Sequence, residues 1–172
     1  MTPLKDLNFK EKLRNIKAFV FDVDGVLSKA IVSIEDNGKL GRTTNVRDGF
    51  AIKRALEEGY VIGIISGGKN GSVSERYGNL GVKSIYLDSS DKMADFRDIL
   101  NEYQLDASQV LYMGDDLPDY DVMIESGVAT CPADAAEEIK GISLYISEKN
   151  GGEACVRDII SQVMRTQNKW YK

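Results

Sequence analysis

The chain has 172 residues, enough for one domain with a sizeable core, and its apolar and charged fractions of 42% and 28% are typical of globular proteins. The net charge of −5 disfavours nucleic acid or an anionic membrane surface as a partner. No apolar run is long enough to span a bilayer, and the amino terminus lacks a signal-peptide pattern. We therefore expect a cytoplasmic protein.

The residue types that are absent or rare narrow the possible chemistry. The sequence contains no histidine, which removes the usual general base, the Ser-His-Asp triad and most zinc sites. Neither Cys131 nor Cys155 precedes the Gly-rich, Arg-ended loop that a phosphate-binding cysteine needs. The two could form a disulfide, but in a cytosolic protein we expect two buried free thiols. Catalysis should then depend on Asp, Glu, Lys, Ser, Tyr or a metal ion.

Short apolar runs alternate with helical patterns along the chain. The strand pattern covers 18–22, 61–66, 84–88, 110–115, a short stretch near 128, and 144–147. The helical pattern covers 47–59, 72–81, 91–103, 118–127, 133–140 and 152–165. This alternation predicts an α/β fold, a Rossmann-like parallel sheet with helices on both faces, forming a single domain over 1–172. Only the first ~15 residues and the tail "TQNKWYK" are expected to be peripheral.

Residues suited to phosphate chemistry follow four of the predicted strands at their carboxyl ends: Asp22 and Asp24; Ser66, Gly67 and Gly68; Lys92; and Asp115, Asp116 and Asp119. Ligands bind at this edge of open α/β sheets. Carboxylates without nitrogen or sulfur ligands select a hard cation, most simply Mg²⁺. Without histidine, phosphoryl transfer here would need one Asp as nucleophile and another as proton carrier. The alternative is ordinary turn chemistry, since Asp-Gly and Gly-Asp-Asp are common in turns.

The ordered set of motifs resembles the haloacid dehalogenase superfamily of phosphatases. "DVDGV" matches its first motif, Ser66 its second, Lys92 its third and "GDDLPD" its fourth. The resemblance covers nearly the whole chain. It implies that Ser66 and Lys92 bind the phosphoryl group.

The same resemblance assigns roles to the acids. Asp22 would attack phosphorus to form an aspartyl-phosphate, and Asp24 would protonate the leaving alcohol and then activate water. Asp22, the backbone carbonyl of Asp24, and Asp115 would hold Mg²⁺. Asp116 and Asp119 would orient these ligands, and a direct metal contact by either of them stays open.

The spacing of the motifs leaves little room for the cap domain that superfamily members usually insert. Only 41 residues lie between Asp24 and Ser66, and only 22 between Lys92 and Asp115. We therefore expect no cap domain. Asn37-Gly38 predicts a β-hairpin within about 31–46, which could act as a flap over an open site. Such a site either takes a large substrate or is closed by another subunit.

Two segments, "TNVRDGFAIKRAL" (44–56) and "NGGEACVRDII" (150–160), resemble the capless tetrameric 3-deoxy-D-manno-octulosonate 8-phosphate phosphatases and their relatives acting on nine-carbon ulosonic acid phosphates. The resemblance implies lipopolysaccharide or sialic-acid-type sugar synthesis and a homotetramer with shared active sites. In it the flaps meet, and Gly151-Gly152 of one subunit reaches the site of the next. It also implies that a small sugar phosphate contacts Asn45, Arg47, Asp48, Gly49, Gly67, Arg76 and Lys92. Arginines suit the carboxylate of an ulosonic acid.

Several alternatives stay open at this point. Asn45 and Asp48 could simply cap the following helix, and Arg76 could lie on a solvated helix face. Gly68 stands where the eight-carbon enzymes usually have arginine, and Asn79 where the nine-carbon enzymes have lysine, so the length of the sugar is open. Two other functions also fit: a phosphatase acting on a polymer end, and a non-catalytic module associated with a nucleotide-sugar synthetase.

Overall fold

The centre of the molecule is a parallel sheet of six strands in the order β5-β4-β1-β6-β7-β8, seen in a computed structural model that describes residues 8–69 and 71–171. The strands are β1 Ala18–Phe21, β2 Ser33–Ile34, β3 Leu40–Gly41, β4 Val61–Ile65, β5 Ser84–Tyr86, β6 Val110–Met113, β7 Val128–Cys131 and β8 Tyr145–Ile146. The helices are α1 Phe9–Leu13, α2 Val46–Glu57, α3 Gly71–Gly78, α4 Lys92–Tyr103, α5 Tyr120–Glu125, α6 Glu137–Ile142 and α7 Cys155–Thr166. The predicted α/β class and parallel sheet are confirmed.

The central strand β1 is buried on both of its faces. Phe19 and Phe21 pack into the apolar cluster that α2 and α7 help to form, whereas Ala18 and Val20 pack into the cluster that includes residues of α4 and α5. This is why the strand is continuously apolar rather than alternating. Because β1 lies between β4 and β6, the residue that follows it, Asp22, reaches the middle of the carboxyl edge of the sheet.

The hairpin predicted at Asn37-Gly38 is present as β2 and β3, which pair antiparallel. Gly38 has φ +77°, a conformation that favours glycine, and Asn37 Oδ1 accepts a hydrogen bond from Lys39 N at 2.8 Å. Ile31 and Ile34 are 88% and 80% exposed. The role of this hairpin as a flap stays a prediction.

The structure corrects the prediction that both ends are peripheral. Leu13 and Ile16 are buried, and the ring of Phe9 stacks on Tyr145 with centroids 5.3 Å apart. In the tail, Trp170 contacts Phe50 edge-on at 6.3 Å. Residues 1–7 and 172 lie outside the described residues.

The predicted helix at 133–140 is wrong in its first half, since α6 begins only at Glu137. The amide of Ala133 donates to the carbonyl of Lys149 at 3.0 Å, and that of Ala136 to the carbonyl of Asp115 at 2.9 Å. These bonds to distant segments replace the first helical turn, and the second supports the loop that carries Asp115. Cys131 and Cys155 are buried free thiols, as expected.

The part of the chain described by the structure contains no helix both long and apolar enough to cross a membrane.

Candidate active site

A cavity of about 610 Å³ opens at the carboxyl edge of the sheet and brings all four motifs together. Its lining includes Asp22, Asp24, Ser66, Gly67, Gly68, Ser89, Lys92, Asp115, Asp116 and Asp119. The convergence follows from the topology, because β1, β4 and β6 are adjacent parallel strands and each of them ends at this edge. The predicted catalytic and metal-binding residues therefore share one site.

Lys92 is the cation at the base of this site. Asp91 caps α4 by accepting a hydrogen bond from Ala94 N at 3.0 Å, which makes Lys92 the first residue of the helix. The Lys92 ammonium donates to Asp22 Oδ1 at 2.9 Å and to Asp119 Oδ1 at 2.7 Å. Burial alone would lower the pKa of Lys92, but the charges of Asp22 and Asp119 raise it above its ordinary value.

Asp119 is almost wholly buried and is held from three sides. Besides the Lys92 ammonium, its Oδ1 accepts the hydroxyl of Tyr112 at 2.7 Å, and its Oδ2 accepts Asp115 N at 3.2 Å. Asp116 instead uses its carboxylate to cap the next turn, accepting from Leu117 N at 2.8 Å. Asp119 therefore fixes both the lysine and the loop that carries Asp115.

Three carboxylates form a cluster suited to a cation. One oxygen each of Asp22, Asp115 and Asp119 lies within 4.8 Å of the others. Burial, and then the charge of Asp119, raise the pKa of Asp22 to about 8 and that of Asp115 to about 7. A single lysine does not neutralise this group, so the site has a deficit of positive charge.

Gly25 makes room for the cluster. It has φ +86°, and a Cβ at this position would overlap the carboxylate of Asp115. Position 25 therefore requires glycine for two reasons: its backbone conformation, and the close approach of Asp115, a candidate metal ligand.

The loop after β4 offers hydrogen-bond donors to the cavity. Ser66 is buried, and its Oγ accepts from Gly68 N at 3.1 Å, which leaves its hydroxyl proton available to a ligand.

Ser89, in the segment after β5, contacts this loop: its backbone N donates to the carbonyl of Ser66 at 3.0 Å. The Ser89 hydroxyl is buried without a hydrogen-bond partner among the described residues. Sequence reasoning missed Ser89, although it lies only two residues before Asp91, the cap of α4.

Arg42 is a second residue that the sequence did not identify. It follows β3 of the hairpin. Its guanidinium donates two hydrogen bonds to the Asp24 carboxylate, from Nε to Oδ1 at 2.6 Å and from Nη2 to Oδ2 at 2.8 Å. Ser28 Oγ also donates to Asp24 Oδ1 at 3.2 Å. A lone arginine in a short polar hairpin carries no sequence signal that separates it from a solvated side chain.

Four of the predicted substrate residues, Asn45, Arg47, Asp48 and Gly49, do not line the catalytic cavity of their own chain. Asn45 caps α2 and donates to the carbonyl of Gly152 at 3.0 Å. Asp48 is 0% exposed and accepts from Arg157 N at 2.7 Å, so within one chain its carboxylate joins α2 to α7, and the substrate role predicted for it stays a prediction. Gly49 is buried too. Arg47 borders a separate depression with Arg157.

Arg76 lies beside a smaller cavity of about 220 Å³, which Arg42 also lines. Its guanidinium packs against Gly49: a Cβ added to Gly49 would lie 2.7 Å from Nη2 of Arg76. Gly67, by contrast, lines the main cavity as predicted.

Gly151-Gly152 also has contacts within its own chain, and its reach to the site of a neighbouring subunit stays a prediction. Both glycines pack against the loop after β1 of their own chain: a Cβ on Gly151 would overlap Gly25, and one on Gly152 would lie 2.7 Å from Lys29 N. Gly152 N donates to the carbonyl of Val26 at 2.8 Å. Their small size is therefore explained within one subunit, where they brace the loop that carries the two acids.

The fold and the site define a haloacid dehalogenase-like hydrolase, and the family model with that description matches residues 83–159. The 3-deoxy-D-manno-octulosonate 8-phosphate phosphatase KdsC of Escherichia coli K12 is 34% identical over 158 residues, 92% of this chain and 84% of that protein. The chain therefore belongs to the 3-deoxy-D-manno-octulosonate 8-phosphate phosphatase family.

Solved structures agree with this assignment. The phosphatase of this name from Yersinia pestis matches with a TM-score of 0.90 at 30% identity, covering 93% of this chain and 86% of that one. The Moraxella catarrhalis phosphatase, in complex with magnesium ion, phosphate ion and a KDO molecule, matches with a TM-score of 0.89 at 29% identity. The match covers 92% of this chain and 91% of that one.

Proposed function

We propose that this phosphatase is Mg²⁺-dependent and hydrolyses 3-deoxy-D-manno-octulosonate 8-phosphate or a related ulosonic acid phosphate. The observation that carries the chemistry is the position of Asp22, a buried carboxylate at the centre of the sheet edge, in contact with Lys92 and close to Asp115. The substrate class is supported by the relatives, one of which binds magnesium, phosphate and KDO together.

In the first half of the reaction Asp22 attacks phosphorus. A bond forms between the Asp22 carboxylate oxygen and phosphorus, the bond from phosphorus to the sugar oxygen breaks, and Asp24 gives its proton to that oxygen. In the second half Asp24 takes a proton from water, whose oxygen attacks phosphorus. Inorganic phosphate leaves, and the Asp22 carboxylate is restored.

The carboxylate cluster fits a hard divalent cation, because it offers only oxygen ligands and its negative charge exceeds the single positive charge of Lys92. Asp22, the backbone carbonyl of Asp24, and Asp115 would hold Mg²⁺, while Asp119, already bound to Lys92 and Tyr112, would keep these groups in position. When bound, the ion supplies the positive charge that allows an anionic nucleophile and an anionic phosphate to approach each other.

The protein's own donors would hold the phosphoryl oxygens. Ser66 and Ser89 both line the cavity, and neither hydroxyl proton is committed to a hydrogen bond within the described residues. Lys92 adds a positive charge at the first turn of α4. Donors fixed in advance stabilise the charge that develops in the transition state.

The proposed substrate class is tested by measuring phosphate release from a panel of compounds with Mg²⁺. The panel contains 3-deoxy-D-manno-octulosonate 8-phosphate, a nine-carbon ulosonic acid phosphate, a hexose phosphate, a 5′-phosphorylated oligonucleotide and a phosphopeptide. We expect kcat/KM for one of the ulosonic acid phosphates to exceed that for the hexose phosphate at least about tenfold. A preference for either polymer would contradict the proposal and favour a polymer-end phosphatase.

We also propose a homotetramer whose subunits complete one another's sites. Two observations support it: the hairpin leaves Ile31 and Ile34 largely exposed, and Arg47 lies outside the catalytic cavity of its own chain. Pairing of hairpins around a closed oligomer would cover this apolar surface.

Subunit complementation tests the shared site. Asp22→Asn and Arg47→Ala chains with different tags are co-expressed, and the mixed oligomer is purified through both tags. If Arg47 serves a neighbouring site, mixed oligomers contain sites with both residues intact and regain a low KM. Activity equal to the average of the two pure variants, or a monomeric mass by light scattering, would contradict the shared site.

A further inference from the structure

Arg42 forms a two-point ion pair with Asp24. Both carboxylate oxygens of Asp24 accept from the guanidinium, and the Arg42 side chain is only 6% exposed. The guanidinium is therefore a buried cation held beside the catalytic acids.

Arg42 also has unused binding capacity. Its Nη1 is buried and has no hydrogen-bond partner among the described residues, and the same holds for Nε of Arg76. Both arginines line the cavity of about 220 Å³, whose other polar lining residues include Ser28 and Thr44 and whose lining contains no acidic residue. Two guanidinium groups, hydroxyls and no carboxylate make a pocket for an anionic group.

The loop after β4 is shaped around this guanidinium. A Cβ on Gly68 would lie 2.6 Å from Nη2 of Arg42 and 3.3 Å from Oδ2 of Asp24. The absence of a side chain at position 68 thus gives Arg42 the volume it occupies beside Asp24.

We propose that Arg42 recognises the carboxylate of the substrate and exchanges its bond to Asp24 for one to that carboxylate. Arg76, on the same cavity, shares the incoming charge. This inference rests on the proposed ulosonic acid phosphate as substrate.

The test compares two substrates that differ only at the recognised group: 3-deoxy-D-manno-octulosonate 8-phosphate and its analogue with the carboxylate reduced to an alcohol. Arg42→Ala should raise KM for the acid roughly 10- to 100-fold, the loss that follows removal of a hydrogen bond to a charged group. For the alcohol, KM should change by less than about twofold and kcat should not fall. Arg42→Lys should restore only part of the affinity, because an ammonium lacks the two-point fork.

Gly68→Ala provides a second variant that keeps Arg42 but displaces its guanidinium. It should also raise KM for the acid, but by a smaller factor than Arg42→Ala does. Arg97→Ala, an exposed arginine on α4, and Gly78→Ala, with open space around its Cβ position, are the matched controls and should match wild type on both substrates.

The outcomes are separable. Wild-type enzyme with no preference for the acid over the alcohol would overturn the proposed substrate and this inference together. Wild-type preference that survives in Arg42→Ala would overturn the inference alone. Equal increases of KM on both substrates would mean that Arg42 binds phosphate, and equal losses of kcat at constant KM would mean that it only positions Asp24. Either result also overturns the inference.

Discussion

The ammonium of Lys92 donates to the carboxylate of Asp22 at 2.9 Å, and both side chains are only 9% exposed. The same ammonium also serves Asp119, so one cation faces two buried acids. Breaking a buried pair by removing one partner leaves an uncompensated charge, which is far more costly than losing a surface pair.

Lys92→Met should therefore impair both activity and folding. We expect kcat/KM to fall at least about 100-fold and the free energy of unfolding to fall by about 3–5 kcal/mol without metal. Urea unfolding with and without Mg²⁺ checks the second value. The control is Lys140→Met, whose partner Glu137 is 88% exposed and whose loss should cost less than about 1 kcal/mol. Equal effects of the two variants would contradict the role given to Lys92.

Replacement of Asp24 by Asn should expose its role as the acid. The variant cannot protonate a leaving alcohol, so kcat for a sugar phosphate should fall about 10²–10⁴-fold. Hydrolysis of p-nitrophenyl phosphate, whose leaving group departs without a proton, should lose much less in its first step. Rapid-quench kinetics of the two esters gives the comparison. If both esters lose the same factor in the first step, Asp24 is not the acid.

Chelation should abolish activity, and Mg²⁺ should restore it. Mg²⁺ should also raise the melting temperature more at pH 8 than at pH 6. The folded-state pKa values of Asp22 and Asp115, about 8 and about 7, lie above the ordinary 3.8, so the metal-free protein loses stability as pH rises from about 4 to 8. Mg²⁺ binds only the deprotonated carboxylates, so its affinity for the site increases as pH rises over the same range. An equal or larger shift at pH 6 would contradict this metal site.

Asp48 should give the protein a second pH dependence that is independent of metal. Burial raises its pKa to about 6, above the ordinary 3.8, so its contribution to stability is full below about pH 4 and is lost as pH rises through 6. Asp48→Asn keeps an acceptor for Arg157 N without the charge. Relative to wild type, we expect it to gain about 1–3 kcal/mol of unfolding free energy between pH 4.5 and 7.5. Urea titrations at both pH values measure this difference, and parallel pH profiles would refute it.

The catalytic edge was predictable from the sequence because it depends on chain order alone. Parallel strands place their carboxyl ends at one edge, so Asp22, Ser66, Lys92 and Asp115 had to converge once the alternation of strands and helices was read correctly. The hairpin at Asn37-Gly38 was predictable for a local reason, since the turn itself favours these residues.

The parts that sequence reasoning missed depend on contacts between distant segments. Arg42 reaches Asp24 from a hairpin whose strands are two residues long, too short for any periodic signal. Asp48 has the sequence features of a helix cap, but its partner is the amide of Arg157, 109 positions away. Gly151 is explained only by the approach of Gly25.

The central claim is that Asp22 carries the phosphoryl group. It is tested most directly by borohydride reduction of the enzyme during turnover of 3-deoxy-D-manno-octulosonate 8-phosphate with Mg²⁺, because borohydride converts an aspartyl-phosphate to homoserine. Trypsin releases the peptide 18–29 between Lys17 and Lys29, and fragmentation in the mass spectrometer separates position 22 from position 24. We predict homoserine at position 22 only, and none in Asp22→Asn or without substrate. Phosphate release with an unmodified peptide, or reduction at another aspartate, would contradict the account.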